Sequence, residues 1–202
     1  MRILAIETAT EACSIALFDQ GQLIDARHEV LGRGHAERLV PMIAELPEKG
    51  HAEQIRISLG PGSFTGVRIG LAVARALGVA WKIPVRGYPT LALVAAMARA
   101  GTERAVTVCM TGGHGEWFMQ DFGINGMPLD DVASLTPDTA AMRRTQDLLA
   151  GTRAEDLGAI IGVASAPIIL PNASDVLLVP DALLREQLSP LYGRAPDAKL
   201  PM

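Results

Sequence analysis

The sequence has few cysteines, no excess of positive charge and no long uninterrupted apolar stretch, and each shortage excludes a class of protein. Cys13 and Cys109 are the only cysteines in 202 residues, so a disulfide scaffold is excluded and two buried thiols in a reducing compartment are expected. The formal net charge of −4 argues against strong autonomous nucleic-acid binding. Because charges interrupt every long apolar run, we predict no signal peptide, no membrane span and a cytoplasmic protein.

The patterns that mark metal sites and nucleophiles are also missing. The four histidines, at 28, 35, 51 and 114, include no i,i+4 pair and no His-Glu-x-x-His, so scattered surface histidines are expected rather than a metal site. Peptidase chemistry needs a Ser or Cys with a base and an orienting group. Ser63 is better explained as a helix cap, and the two cysteines fall at strand positions. We therefore predict no catalytic residue, no cofactor and no metal ligand.

What the sequence does contain is the pattern of a mixed α/β protein with a hydrophobic content of 49%. The first hundred residues read β-β-β-α-β-α-β-α, an antiparallel meander followed by two crossovers. The predicted elements are strands Arg2–Glu7, Glu11–Asp19, Leu23–Val30, Ile55–Leu59 and Ile83–Gly87, and helices His35–Leu46, Ser63–Ala80 and Thr90–Ala100.

The chain is organised around the stretch from Leu59 to Gly70 and the helix that it opens. A Gly-Pro-Gly cluster ends a short strand, and Ser63 is a good N-cap. The stretch allows two interpretations, a phosphate-binding loop or a strand-to-helix turn. It lacks the lysine and the hydroxyl of a P-loop, so the turn is favoured. Gly66, Gly70, Ala74 and Gly78 recur every four residues, as do Ala72, Ala76 and Ala80, and such flat ridges allow another backbone to approach closely.

The second half repeats the first more loosely. A glycine-rich turn at residues 111–115 separates two strands that we expect to pair as an antiparallel hairpin. The predicted elements are strands Arg104–Met110, Glu116–Phe122, Met127–Val132, Leu157–Val163 and Val176–Val179, and helices Asp138–Ala150 and Pro180–Leu188.

Four segments together resemble the TsaB (YeaZ) family, subunits of the bacterial tRNA threonylcarbamoyladenosine machinery that belong to the M22 glycoprotease-like group. They are ILAIETATEACSIAL, RGHAERLVPMI, GPGSFTGVRIGLAVARALG and PLYGRAPDAK. The resemblance implies two ribonuclease-H-like lobes of the acetate-kinase, sugar-kinase and actin superfamily, here residues 1–101 and 102–202. Two departures from the family pattern are the turn at residues 111–115, which lacks the usual Asp-Ala-Arg, and a shortened segment between Ile43 and Ile57.

The same resemblance implies a non-catalytic partner subunit. Its expected partners are a TsaD-like paralogue that transfers the threonylcarbamoyl group to tRNA adenosine, a TsaE-like ATPase, and a second copy when alone, with tRNA contacted only indirectly. The alternative is an enzyme, either an ATP-binding phosphotransferase or a residual M22-type peptidase.

We predict that two helices carry the partner interface, with the first half of the glycine ridge turned to the partner. The residues expected there are His35, Arg38, Leu39, Met42, Ile43, Phe64, Val67, Arg68, Gly70 and Leu71.

Overall fold

The computed structural model describes residues 1–163 and 169–193, which form two β-sheets with helices between and outside them. The strands are β1 Arg2–Glu7, β2 Ala12–Asp19, β3 Gln22–Val30, β4 Gln54–Ser58, β5 Val85–Tyr88, β6 Val106–Thr111, β7 Trp117–Phe122, β8 Ala133–Leu135 and β9 Leu148–Ala150. The α-helices are α1 His35–Glu45, α2 Phe64–Trp81, α3 Thr90–Arg99, α4 Pro137–Ala141 and α5 Ala154–Ile161.

The first sheet has the strand order β3-β2-β1-β4-β5 and is covered on both faces. Leu4 and Ile6 of β1 pack with α1 and α2, whereas Ile3 and Ala5 point to the other face and pack with α3. Because the middle of β1, Ile3 to Ile6, is buried on both faces, it is a continuous apolar run rather than an alternating one. The predicted meander and crossovers are confirmed by this topology.

Helix α3 lies between the two sheets and joins them into one core. Its Leu91 and Val94 are fully buried, and the same cluster contains Val106 and Val108 of the second sheet. That sheet has the order β8-β7-β6-β9, with α4 and α5 against its far face. The predicted hairpin is confirmed, because β6 and β7 pair antiparallel from Val106–Phe122 to Thr111–Trp117.

The C-terminal residues return to the first sheet. We call residues 181–193 the C-terminal strap. Its Arg185 exchanges two backbone hydrogen bonds of 2.8 Å with Gly87 at the edge of β5, and the Leu191 N–H donates to the Leu59 carbonyl at 2.7 Å. The Arg56 guanidinium bonds the Asp181 carboxylate at 3.1 Å. Because the strap and α3 link both sheets, the lobe boundary at residue 101 stays a prediction.

The predicted helix Asp138–Ala150 is wrong past its first turn, since α4 has only five residues. The Arg143 guanidinium forms an ion pair with Asp121, and the Gln146 N–H donates to the Thr107 hydroxyl at 2.8 Å. These contacts turn the chain back to the sheet, where β9 pairs parallel to β6.

Four further predictions are corrected by the structure. The strand expected at Leu157–Val163 is helix α5, and the strand expected at Met127–Val132 is replaced by β8. The strand expected at Val176–Val179 lies largely in a 3₁₀ helix (Ala173–Leu178). The helix expected at Pro180–Leu188 contains only a 3₁₀ turn (Asp181–Leu183). In α5, Ala154 and Leu157 are buried at helical spacing against the sheet, so tertiary packing overrides the β-branched composition of this stretch.

Candidate functional site

The loop that opens α2 is a packed strand-to-helix turn. Its Ser63 hydroxyl accepts the Gly66 N–H at 3.2 Å as the N-cap, and the Ser63 N–H donates to the Ala9 carbonyl at 2.7 Å. The Thr8 hydroxyl donates to the Gly66 carbonyl at 2.9 Å, and a Cβ at Gly66 would collide with the Thr8 carbonyl oxygen. Carbonyl oxygens of the first hairpin turn therefore face the start of α2, which disfavours an anion there and supports the turn interpretation.

A carboxyl group stands at the end of β1, inside the core. Glu7 is fully buried, and its carboxylate accepts the Ala9 N–H at 2.7 Å. The Tyr88 hydroxyl lies 3.4 Å from the other carboxylate oxygen and donates to the Ile6 carbonyl at 2.9 Å. Burial raises the pKa of Glu7 to about 7, against an ordinary value of 4.5. This carboxyl shapes the hairpin turn and faces no open space.

A cleft of about 730 Å³ opens between the two sheets. The two hairpin turns, the start of α2 and the end of the C-terminal strap form its walls. Val67, Met110, Phe118 and Leu191 make much of this lining apolar, and among the lining residues only Glu11, Arg68 and His114 can carry a charge. Within residues 1–163 and 169–193, no group of three His, Cys, Asp or Glu side chains could hold a metal ion.

The candidate nucleophiles are poorly placed for catalysis. Cys13 and Cys109 are free and fully buried, as predicted. Burial raises the pKa of the Cys13 thiol to about 11 and that of Cys109 to about 12, so neither forms a thiolate readily at neutral pH. The Ser63 hydroxyl is engaged as a helix cap.

The structure places seven of the ten predicted interface residues in the chain's own core. His35, Leu39, Met42, Ile43, Val67, Gly70 and Leu71 are all buried. A Cβ at Gly70 would collide with the Thr8 side chain and approach Ile57, so the glycine ridge faces this chain's sheet and not a partner, which corrects the expectation for its first half. His35 is also an exception to the expected surface histidines, since its Nε2 lies 3.2 Å from the Ala12 carbonyl.

The outward ridge of α2 is the alanine ridge. Ala72, Ala76 and Ala80 are exposed, and Ile69 and Val73 beside them are half-buried. Helix α1 packs against α2 and adds exposed apolar or small residues, namely Ala36, Val40, Pro41 and Ala44. We call these nine residues the α1–α2 face. The four-residue spacing of the alanines was visible in the sequence, but the spacing alone could not show which ridge the sheet takes.

The three remaining predicted residues are accessible. Arg38 is half-buried and bonds both Glu29 and Glu45, which raises the pKa of its guanidinium. Phe64 is 67% exposed, and the Arg68 guanidinium carbon lies 3.2 Å from the centroid of its ring. The Arg68 guanidinium also donates to the Tyr192 hydroxyl at 2.6 Å. No pattern in the sequence marked Tyr192.

Helix α2 has the length and hydropathy of a membrane-spanning helix, alone among the helices of residues 1–163 and 169–193. The core helix of a soluble protein meets the same two criteria. Its apolar composition is accounted for by the glycine ridge against the sheet and by the exposed alanine ridge described above.

Comparison with known proteins places this architecture in a family. The model of the family TsaD: tRNA N6-adenosine threonylcarbamoyltransferase matches residues 27–169, more than two thirds of the chain. The tRNA threonylcarbamoyladenosine biosynthesis protein TsaB of Escherichia coli K12 is 42% identical over 100 residues, which cover 47% of this chain and 43% of the relative. The matched part thus spans less than half the length of that curated relative.

Solved structures extend the similarity over the whole fold. YeaZ from Pseudomonas aeruginosa has a TM-score of 0.78 at 28% identity, covering 95% of this chain and 100% of that one. The ethanolamine utilization protein EutJ from Carboxydothermus hydrogenoformans has a TM-score of 0.53 at 12% identity, over 89% and 90% of the two chains, and so shares the fold alone. The predicted mixed α/β fold class is confirmed. The chain belongs to the TsaB (YeaZ) family, within the wider family that the TsaD model describes.

Proposed function

We propose that this protein is a non-catalytic partner subunit in tRNA threonylcarbamoyladenosine biosynthesis, and that it binds a TsaD-like paralogue through the α1–α2 face. A TsaE-like ATPase joins the complex, the chain pairs with itself through the same face when alone, and its role is cytoplasmic. The biosynthetic role is drawn from the name of the E. coli relative.

The observation that carries the proposal is the α1–α2 face itself. Val40 is 54% exposed, and the three alanines of the ridge, which are spaced over two turns of α2, are also exposed. Exposed apolar and small side chains on two helices that pack together are typical of protein–protein contacts, and small residues let two helices approach closely. Phe64, Arg68 and Arg38 lie on the same two helices and belong to the proposed interface.

The test is a matched pair of substitutions. Ala76→Arg puts a long charged side chain on the alanine ridge, and Ala159→Arg puts the same side chain on an exposed position of α5, outside the far face of the second sheet. Ala76→Arg should abolish both the homodimer in sedimentation and co-purification with the paralogue, and it should remove this chain's support of tRNA modification in a reconstituted assay. Ala159→Arg should leave all three unchanged. Equal behaviour of the two variants would refute the interface, and full modification without this chain would refute the role.

The cleft between the sheets is the one observation that favours the enzyme alternative. A thermal shift with Mg-ATP tests the phosphotransferase version of that alternative, because a ligand at about 100 times its Kd adds about 2.7 kcal/mol to the free energy of unfolding. We expect no shift at millimolar nucleotide. A shift that Ala76→Arg leaves intact would support a nucleotide site in this chain.

A further inference from the structure

Two aromatic side chains stand out at the mouth of the cleft. Five of the eight aromatic residues are buried to below 10% exposure, yet Phe64 and Tyr192 are 67% and 57% exposed. Phe64 begins α2, and Tyr192 lies in the C-terminal strap, more than 120 residues away in the chain. Large aromatic residues exposed together on a surface are typical of sites that anchor a partner.

Between these two rings lies a guanidinium whose position is fixed. The Arg68 carbon is 3.2 Å from the Phe64 ring centroid and 5.5 Å from that of Tyr192. The group donates to the Phe64 carbonyl at 2.9 Å and to the Tyr192 hydroxyl at 2.6 Å. Both acceptors are neutral, and within the part of the chain that the structure describes Arg68 has no carboxylate within salt-bridge distance. Of the five guanidinium N–H groups, those not used here remain available to an incoming acceptor.

The chemistry of the surroundings selects among anions. Arg68 lines the cleft together with an apolar part of its wall, which includes Val67, Phe118 and Leu191. A doubly charged phosphate would meet one guanidinium and lose its hydration over an apolar wall, which is unfavourable. A side-chain carboxylate carries one charge, matches the guanidinium fork and brings apolar neighbours that such a wall can bury.

We propose, given the partner role above, that the Phe64–Arg68–Tyr192 cluster is a receptor for an acidic side chain of the partner protein. The carboxylate pairs with Arg68, and an apolar residue beside it enters the cleft against Leu191 and Phe118. The two rings and their hydrogen bonds hold the guanidinium in place before binding, so that little side-chain freedom is lost when the partner arrives.

The experiment measures the Kd between this chain, residues 1–202, and the TsaD-like paralogue of the same organism. Arg68→Gln should raise the Kd by about tenfold or more, because an anchor arginine is removed. Arg68→Lys should restore little of that loss, since a lysine cannot match the fork. Tyr192→Phe keeps the ring but loses one bond to the guanidinium, and a smaller rise of a few-fold is expected. Arg75→Gln is the matched control, because Arg75 also lies on α2 and bonds the strap through the Leu188 carbonyl, but forms no cation–π contact within residues 1–163 and 169–193.

Charge reversal then identifies the acceptor. Arg68→Glu should abolish binding, and one Asp→Arg or Glu→Arg substitution in the paralogue should recover it. Binding of Arg68→Gln within twofold of the parent, equal losses in Arg68→Gln and Arg75→Gln, or no recovering substitution would each overturn the receptor while leaving the partner role intact. Absence of any complex with the parent chain would overturn the partner role itself. Melting curves of each variant check that it folds. If Arg68→Gln does not fold, the Kd of Tyr192→Phe decides the test.

Discussion

Replacing Glu7 by Gln should make the protein less sensitive to pH. In the folded chain burial raises the pKa of Glu7 to about 7, whereas the unfolded chain has the ordinary value of 4.5. Because the folded state binds the proton of the Glu7 carboxyl more tightly than the unfolded state does, protonation of Glu7 adds to the free energy of unfolding. This contribution is fully present below pH 4.5 and is lost as the pH rises through about 7. No Lys or Arg in residues 1–163 and 169–193 forms a salt bridge with Glu7 to offset the cost of ionising it.

The size of the effect follows from the two pKa values. Each pKa unit corresponds to about 1.36 kcal/mol, so the gap between 4.5 and about 7 amounts to about 3 kcal/mol. Gln has nearly the same shape, cannot ionise and can still accept the Ala9 N–H. Relative to the parent, Glu7→Gln should therefore gain about 3 kcal/mol in the free energy of unfolding between pH 4.5 and pH 8.5.

The assay is urea denaturation of both proteins across that range. The other acids titrate alike in both proteins, so their contributions cancel in the difference. They include Glu29 and Glu45, whose pKa values are lowered by hydrogen bonds to Arg38. A ¹³C titration of the Glu7 carboxyl checks the pKa directly. A difference that stays flat with pH, or a Glu7 that titrates near 4.5 in the folded protein, would refute the reasoning.

Three further substitutions or treatments test the packing of α2 and the thiols. In urea denaturation, Gly70→Leu should lower the free energy of unfolding of the monomer by about 3 kcal/mol or more, because the new side chain must displace the Thr8 side chain. The control Ala72→Leu, on the exposed ridge, should change it by about 0.5 kcal/mol or less. Similar losses in the two variants would contradict the assigned direction of the glycine ridge. Ser63→Ala should cost about 1 kcal/mol in the same assay through loss of the N-cap, and an unchanged midpoint would show that the cap contributes nothing. Cys13 and Cys109 should resist iodoacetamide at pH 7.5 until the chain is unfolded, as followed by mass spectrometry, and rapid labelling of the native protein would show that the thiols are accessible.

The first half of the fold could be predicted from the sequence because its signals are local. Short apolar-rich stretches of strand length located β1, β4 and β5 to within two residues, and Ser63 marked the start of α2 to one residue. The second half depends on contacts that are distant in the chain. The end of α4 is set by bonds from Arg143 and Gln146 to the neighbouring strands, and the sequence near residue 145 contains no sign of them.

Seven of the ten residues predicted for the interface lie in this chain's own core, partly because the prediction used the wrong ridge of α2. Helix α2 has two ridges of small residues with the same spacing, and hydrophobic pattern alone cannot separate them. The two ridges differ because each alanine carries a methyl group that a glycine lacks. Only glycine leaves room for the Thr8 carbonyl and side chain, so the sheet takes the ridge of Gly66 and Gly70 and leaves the alanines outside.

The return of the C-terminal strap to β5 has a consequence for synthesis on the ribosome. Gly87 at the sheet edge receives its partner only when Arg185 has been made, almost one hundred residues later. At 5–20 residues per second, that interval is on the order of 10 s. During this time a nascent chain exposes the open edge of β5 and the groove that Leu191 will fill, both of which invite pairing with other chains. Stop codons or ribosome pausing before residue 185 should therefore yield aggregation-prone products even though every strand of the first sheet is already complete.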